Sequence, residues 1–319
     1  MSLRVLPVDA AGRARRAERV ARAVWVGVAA ILTLALTVQP FGDANAWWHL
    51  AMGRLIAAHG LPSAEPFSFL GASHPWIGQG WLFEVLLAGL VGAGGFGLAS
   101  IACGVAATAG LVLSVTSMSR MLRVPGVWLA LGLMGSALVA SQFVGVNGTA
   151  ISVLGVGAVL HVVARWRDGQ TGAVWLLPPV FLVWANMGAG FVLGMLILLA
   201  ALVSTRGAHQ PARPAMLVAF AGGVLATFVN PYGPGLYASV ITTATDPAIT
   251  QLSTTFASPD FHSTWLRLFE VEAALVVLCW IAGDGPDVLD ALLGIATVAL
   301  ALWSAQFVTL FAVVAAPQL

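Results

Sequence analysis

The chain contains no lysine; all 14 of its basic residues are arginine, and they face 13 acids, for a net charge of about +1. Bulk charge of that size gives no reason to expect a nucleic-acid partner. Charged residues make up only 8% of the 319 positions while 59% are hydrophobic, with a mean hydropathy of +0.93. No soluble domain of this length can hide so much apolar surface, so the composition specifies a polytopic membrane protein. The two cysteines, Cys103 and Cys279, each sit inside an apolar run, which excludes a disulfide framework and metal-ligand spacing. The soluble catalytic signatures G-x-S-x-G, H-E-x-x-H and the P-loop are absent, and no internal repeat is visible. A cleavable signal peptide is not expected. The basic N-terminus is too long, and the first apolar run lacks a small-residue cleavage site.

What remains is hydrocarbon interrupted at intervals. Residues 1–23 form a basic segment carrying Arg4, Arg13, Arg15, Arg16, Arg19 and Arg22, and 24–319 read as one integral membrane domain. At ~20 apolar residues per crossing, spans fall at about 24–39, from about 81 to before Arg120, 126–144, 149–164, 174–185, from about 190 to before Arg206, 215–229 and 265–282. The stretch 288–319 is long enough for two short spans hinged near Ser304. The expected fold is an all-α polytopic bundle of about nine to ten spans. Placing the N-terminus in the cytoplasm puts Arg120, Arg123, Arg165, Arg167, Arg206 and Arg213 on the inner side, leaving only Arg54 and Arg267 outside, as the positive-inside rule requires. Two long loops, about 40–80 and 230–263, then lie on the outer face. The glycines at 92, 94, 95 and 97 and the Gly190/Gly194 pair are read as close helix packing.

The first long loop holds the densest polar cluster. "GDANAWWHLAMGRLIAAHG" reads as a short interfacial helix with Asp43 as N-cap and Asn45 and His49 on one face. Trp47 and Trp48 suit a membrane boundary, and they would sit there with no other role. Further on come Glu65, Trp76, Gln79 and Glu84, the last inside an apolar helix, where a charge faces a cavity or a partner. The histidines make no metal-ligand pattern. Glu270 and Glu272 are the only paired acids within a span, and they would serve a secondary transporter as ion ligands.

Beyond these physical readings, "DANAWWHLAMGRLIAAHGLPSAEPFSF" followed by "HPWIGQGWLFEVL" resembles a family of bacterial polytopic proteins whose first loop reads D-x-D-x-W-W-H-L, P-x-x-D-P-F-S-F and P-W-x-x-x-E-W-L-x-E-V. "FLVWANMGAGFVLG", "FVNPYGPGLY", "SPDFH" and the closing "ALALWSAQFVTLFAVVAAPQL" are similar to later motifs of that family, in order along the chain. The family in turn resembles the GT-C membrane glycosyltransferases, which include oligosaccharyltransferases, protein mannosyltransferases and lipid A aminoarabinose transferases.

The resemblance implies a GT-C-like bundle in the cytoplasmic membrane of a bacterium, using a polyprenyl-phosphate-linked sugar at the outer face. It implies Asp43, Glu65 and His49 as catalytic groups and Arg54 or Arg267 as partner of the phosphate. Trp47, Trp48, Trp76, Gln79, Glu84, Asn186, Tyr232 and His262 would line the substrate site. No metal ligand is assigned, although a divalent metal beside the phosphate would fit the chemistry. The charged family positions are thinned here: Asn45 replaces an acid, Gly80 a glutamate, Gly188 a histidine, and Ala305-Gln306 an arginine-asparagine pair. Three readings follow: a diverged transferase; an inactive relative that binds a lipid-linked sugar or assists a membrane partner; or a shortened copy. Transport is the rival outside this group.

Overall fold

The computed structural model describes residues 8–42, 44–67, 75–117, 124–204, 213–247, 250 and 256–319. Asp43, Arg120, Arg123 and Arg206 lie outside them. The protein is all-helical, with no strand among the described residues beyond a single bridge between Ala64 and Pro75. The helices are α1 (Val8–Thr37), α2 (Ala44–His59), α3 (Trp81–Val115), α4 (Gly126–Ala140), α5 (Gly148–Arg167), α6 (Leu177–Met187), α7 (Phe191–Ser204), α8 (Arg213–Thr227), α9 (Gly235–Thr245), α10 (Leu266–Ala282), α11 (Val288–Trp303) and α12 (Val308–Ala315). Three of them, α1 from Arg15, α3 and α5, are long and apolar enough to cross a membrane; α4, α6, α7, α8 and α11 are shorter apolar helices.

Two expectations change. The basic segment and the first span lie on one helix, α1, which starts at Val8 and continues unbroken to Thr37. Its arginines, alanines and Glu18 are strong helix formers with no proline among them. The glycines after Gly89 do not pack: Gly92, Gly95 and Gly97 have no neighbour within 4 Å of a built β-carbon. They bend α3 instead, at Gly94 and at Gly95, whose φ of 71° favours glycine. At the C-terminal end the chain does break at Ser304, which is extended. The piece that follows, α12, has eight residues, all buried, and at ~1.5 Å per residue it cannot cross a ~30 Å core. It packs instead against α3, α4, α5, α10 and α11, and Ser114 donates to the Val313 carbonyl at 2.5 Å.

Close packing occurs where glycines meet backbone. α3 crosses α5 with Gly110 against the Val153 carbonyl and Gly157 against the Gly110 carbonyl. Gly190 sits on the Ser152 side chain and Gly194 on the Trp184 ring, so the reading of that pair as packing glycines agrees with the structure.

One end of the bundle collects arginine. Arg22 donates to the Val124 carbonyl (2.9 Å), Arg213 to Leu202 (3.2 Å), and Arg167 pairs with Asp287, the N-cap of α11. Burial opposes ionisation of Asp287, but hydrogen bonds from Arg167 and from the Asp290 and Leu289 N–H groups outweigh it and hold its pKa below the usual carboxylate range. Such a group adds stability above its unfolded pKa of ~3.9, and that stability is lost as pH falls through the depressed folded value. Acid below about pH 4 is therefore expected to lower the unfolding temperature of the wild type by more than that of Asp287→Asn. The pair is partly exposed, which limits the difference to about 1 kcal/mol. Thermal unfolding at pH 7 and pH 3 measures it, and equal acid losses in both proteins would refute it.

Candidate functional site

At the opposite end, the start of α5, several turns converge on a cavity of about 750 Å³. α2 contributes Asn45 and His49, the stretch before α3 contributes Gln79, and the α4–α5 turn contributes Gln142 and Asn147. The α6–α7 turn brings Gly188 and Gly190, α9 brings Thr243, and the break after α11 brings Gln306 and Thr309. Local chemistry explains several of these placements. Asn147 caps α5 by accepting from the Thr149 N–H at 3.0 Å. The Gln79 amide donates to Ser239 Oγ (2.8 Å) and Thr243 Oγ1 (3.0 Å), which ties the first loop to α9. Thr309 Oγ1 is buried without a partner.

His49 is the one titratable side chain in this lining. Its Nδ1 lies 3.1 Å from Glu84 Oε1, and Glu84 is 2% exposed. Facing a carboxylate, Nδ1 carries the proton and Nε2 is left as an acceptor for a ligand. The pair exists because Gly53 lets α2 lie directly on the backbone of α3; a β-carbon there would strike the Glu84 carbonyl. The expectation that Glu84 faces a partner, and that Asn45 and His49 share a face, agrees with this geometry.

Trp48 meets His49 edge-on (centroids 5.1 Å apart) and Trp76 at a tilt (5.5 Å). Tyr232 joins them next to Gly78, where burial raises its phenol above the ordinary value; the Gly78 backbone opposes the shift and the Glu84 charge adds to it.

Other expected site residues lie elsewhere. Arg54 and Arg267 are exposed on α2 and α10, and neither lines the cavity. A phosphate clamp from these arginines is therefore not part of it. Glu65 is occupied locally, accepting from the Phe67 N–H at 2.8 Å. His262 is exposed and bonded to Asp260 two residues away. Asn186 is a strap, accepting from Trp81 Nε1 at 2.9 Å and donating to the Leu182 and Val229 carbonyls. Trp47 packs with Phe41 and Phe96. Asp43 lies outside the described residues. Glu270 and Glu272 do not act as a pair: Glu270 is exposed, whereas Glu272 is buried and accepts from Ser136 at 2.5 Å.

The sequence reading missed Gln142, Thr149, Ser152, Thr243 and Thr309. Each is a neutral polar residue in or beside an apolar helix, a type that carries no motif of its own. Asn147 had a signal, the helix cap in "VNGT".

Among the described residues, no three His, Cys, Asp or Glu side chains come together to hold a metal ion. Comparison with known proteins finds no match to this chain among protein-family models, curated proteins or solved structures.

Proposed function

We propose that this is a polytopic, GT-C-like protein of a bacterial cytoplasmic membrane, with its N-terminus inside. It binds the sugar of a polyprenyl-phosphate-linked glycan in the cavity beside α2. The observation that carries this reading is the lining: amides (Asn45, Gln79, Gln142, Asn147, Gln306), hydroxyls (Thr149, Thr243, Thr309) and phenylalanines (Phe143, Phe256, Phe307), with no arginine and no carboxylate among the described residues. Sugar hydroxyls both donate and accept, which amides and hydroxyls answer, while ring C–H faces suit aromatic walls. A neutral lining selects the glycosyl part and leaves the charged phosphate outside.

A second reading, transfer of the bound sugar, is favoured by one feature. His49, backed by Glu84, is a base within reach of a cavity ligand, able to take a proton from an acceptor hydroxyl. The positions of Arg54 and Arg267, away from the cavity, weigh toward binding.

Native mass spectrometry of the protein released gently from its own membrane tests the reading. A co-purified mass of polyprenyl phosphate plus sugar is expected. Its occupancy should fall about tenfold in Gln306→Leu and Thr309→Val, the effect of losing one hydrogen bond worth ~1.4 kcal/mol. A wild-type spectrum without glycolipid, or an adduct indifferent to both substitutions, refutes sugar binding in this cavity.

A further inference from the structure

A second cavity, of about 370 Å³, lies at the arginine-rich end of the bundle, away from His49. Its walls are the start of α4, the end of α10, the α10–α11 turn, Asp290 of α11 and residues 316–319. Two indoles line it, Trp128 from α4 and Trp280 from α10, together with two carboxylates, Asp284 from the turn and Asp290. Trp280 is held against α11, where Gly294 makes room for the ring, 2.8 Å from where a β-carbon would stand. Gln318 closes one wall. Its amide nitrogen donates to the Asp290 carbonyl at 3.4 Å, and its Oε1 is buried without a hydrogen-bond partner. Asp287, the remaining acid of this region, is taken up by Arg167 and is not in the lining. Among the described residues no arginine lines the cavity, although arginines gather around it.

This lining selects a class of ligand. Both charged side chains are carboxylates, which accept and do not donate, and Gln318 Oε1 is a further acceptor. An anion would be repelled. A bare metal ion would use the carboxylates and leave the indole walls without a role. An organic ammonium uses both: its N–H groups donate to the carboxylates, and its charge lies against the indole faces. The surroundings fit as well. Trp128 is 59% exposed at the mouth, the place of an interfacial tryptophan, and the neighbouring faces of α4 (Leu131) and α10 (Val277, Leu278, Ile281) are exposed and apolar, as lipid contact requires. Val124, which shares the lining, accepts from Arg22 at 2.9 Å, so one cation stands beside an acidic cavity. We infer that this cavity binds an alkylammonium group, either the amine of a phospholipid headgroup or a small free amine. A zwitterionic headgroup uses every feature, with its ammonium in the cavity, its phosphate toward Arg22 and its chains along α4 and α10. The inference is independent of the sugar reading, whose cavity lies at the other end of the bundle.

Cys279 provides the readout. It lines the same cavity and is exposed, whereas Cys103 is buried. The full-length protein is placed in nanodiscs of dioleoylphosphatidylglycerol, alone or mixed equally with dioleoylphosphatidylethanolamine or dioleoylphosphatidylcholine. The rate of Cys279 alkylation by N-ethylmaleimide is followed by mass spectrometry. Phosphatidylethanolamine is expected to slow alkylation about tenfold, the scale of one desolvated cation–π contact. The slowing should largely disappear in Asp284→Asn and in Trp128→Leu, which change exposed side chains and leave the packing of the bundle alone. Rates are compared between lipids within each variant, so a change in the reactivity of the thiol itself cancels. Free ethanolamine added to the phosphatidylglycerol nanodiscs separates the two sources. Protection by ethanolamine assigns the cavity to a small amine, and protection by the phospholipid alone assigns it to a headgroup. Protection by phosphatidylcholine as well supports an ammonium site in which the indoles hold the charge without N–H bonds. Equal alkylation rates in all three lipids, with and without ethanolamine, or protection that both variants retain in full, overturn the inference.

Discussion

Gly157→Val should lower the stability of the protein by about 3 kcal/mol, at the upper end of what overpacking ordinarily costs. At the α3–α5 crossing the two backbones are in contact. A β-carbon on Gly157 meets the carbonyl of Gly110, and one on Gly110 meets the carbonyl of Val153. These obstacles are main-chain atoms of helices, so they cannot rotate aside as a side chain would. The helices must separate, and every contact along the crossing weakens with distance. Within lipid there is no hydrophobic drive to restore the fit, since helix association depends on close packing itself. Gly89→Ala is the control. Its β-carbon would have no neighbour within 4 Å, and alanine is the better helix former, so this variant should be neutral or more stable by about 0.5–1 kcal/mol. Thermal unfolding in detergent, followed by size-exclusion chromatography, compares the two. A Gly157→Val protein that unfolds with the wild type would show that the crossing is looser than described.

His49→Leu should cost about 2–3 kcal/mol, and most of that should return in the His49→Leu/Glu84→Gln double variant. Removing the Nδ1–H donor leaves the buried Glu84 carboxylate without its hydrogen bond, a penalty of about 1–3 kcal/mol and more for a charged group. The His49 side chain is 24% exposed, and the solvent reaching it reduces the figure. Neutralising Glu84 in the double variant removes the stranded charge. The signature is therefore non-additivity: a double-mutant cycle in which the second substitution repairs the first. Strictly additive losses would mean that the 3.1 Å contact carries no coupling.

The part of the site that was legible in the sequence follows from periodicity and from the cost of charge in an apolar helix. Asn45 and His49, four apart on a helix, do share the cavity face. Glu84, three residues into α3, does face a partner rather than lipid. Arg54 could have been excluded by the same arithmetic. It follows His49 by five positions, about 140° around the helix, and it is exposed. Charge was scarce enough that the one arginine of the first long loop looked functional, and the helical wheel was the better guide. The far wall of the cavity was not legible. Thr149, Thr243 and Thr309 are far apart in sequence, and only the packing of α5, α9 and α12 makes them neighbours. The glycine run in α3 misled for a related reason. Composition marks where a helix is thin, but whether it packs or bends there depends on what stands opposite, and opposite Gly92, Gly95 and Gly97 nothing does.

The buried helix α12 has a consequence for the order of assembly. Its residues fill the space between α3, α4 and α5, which precede it by well over a hundred positions. Those earlier helices form with a vacant slot, and their mutual packing is incomplete until residues 308–315 arrive. The bundle therefore closes by long-range contacts, the slow kind. Until then Ser114, whose hydroxyl donates to the Val313 carbonyl in the finished fold, lacks its partner. Until α12 docks, the faces of α3, α4 and α5 that it covers in the finished fold lack their partner.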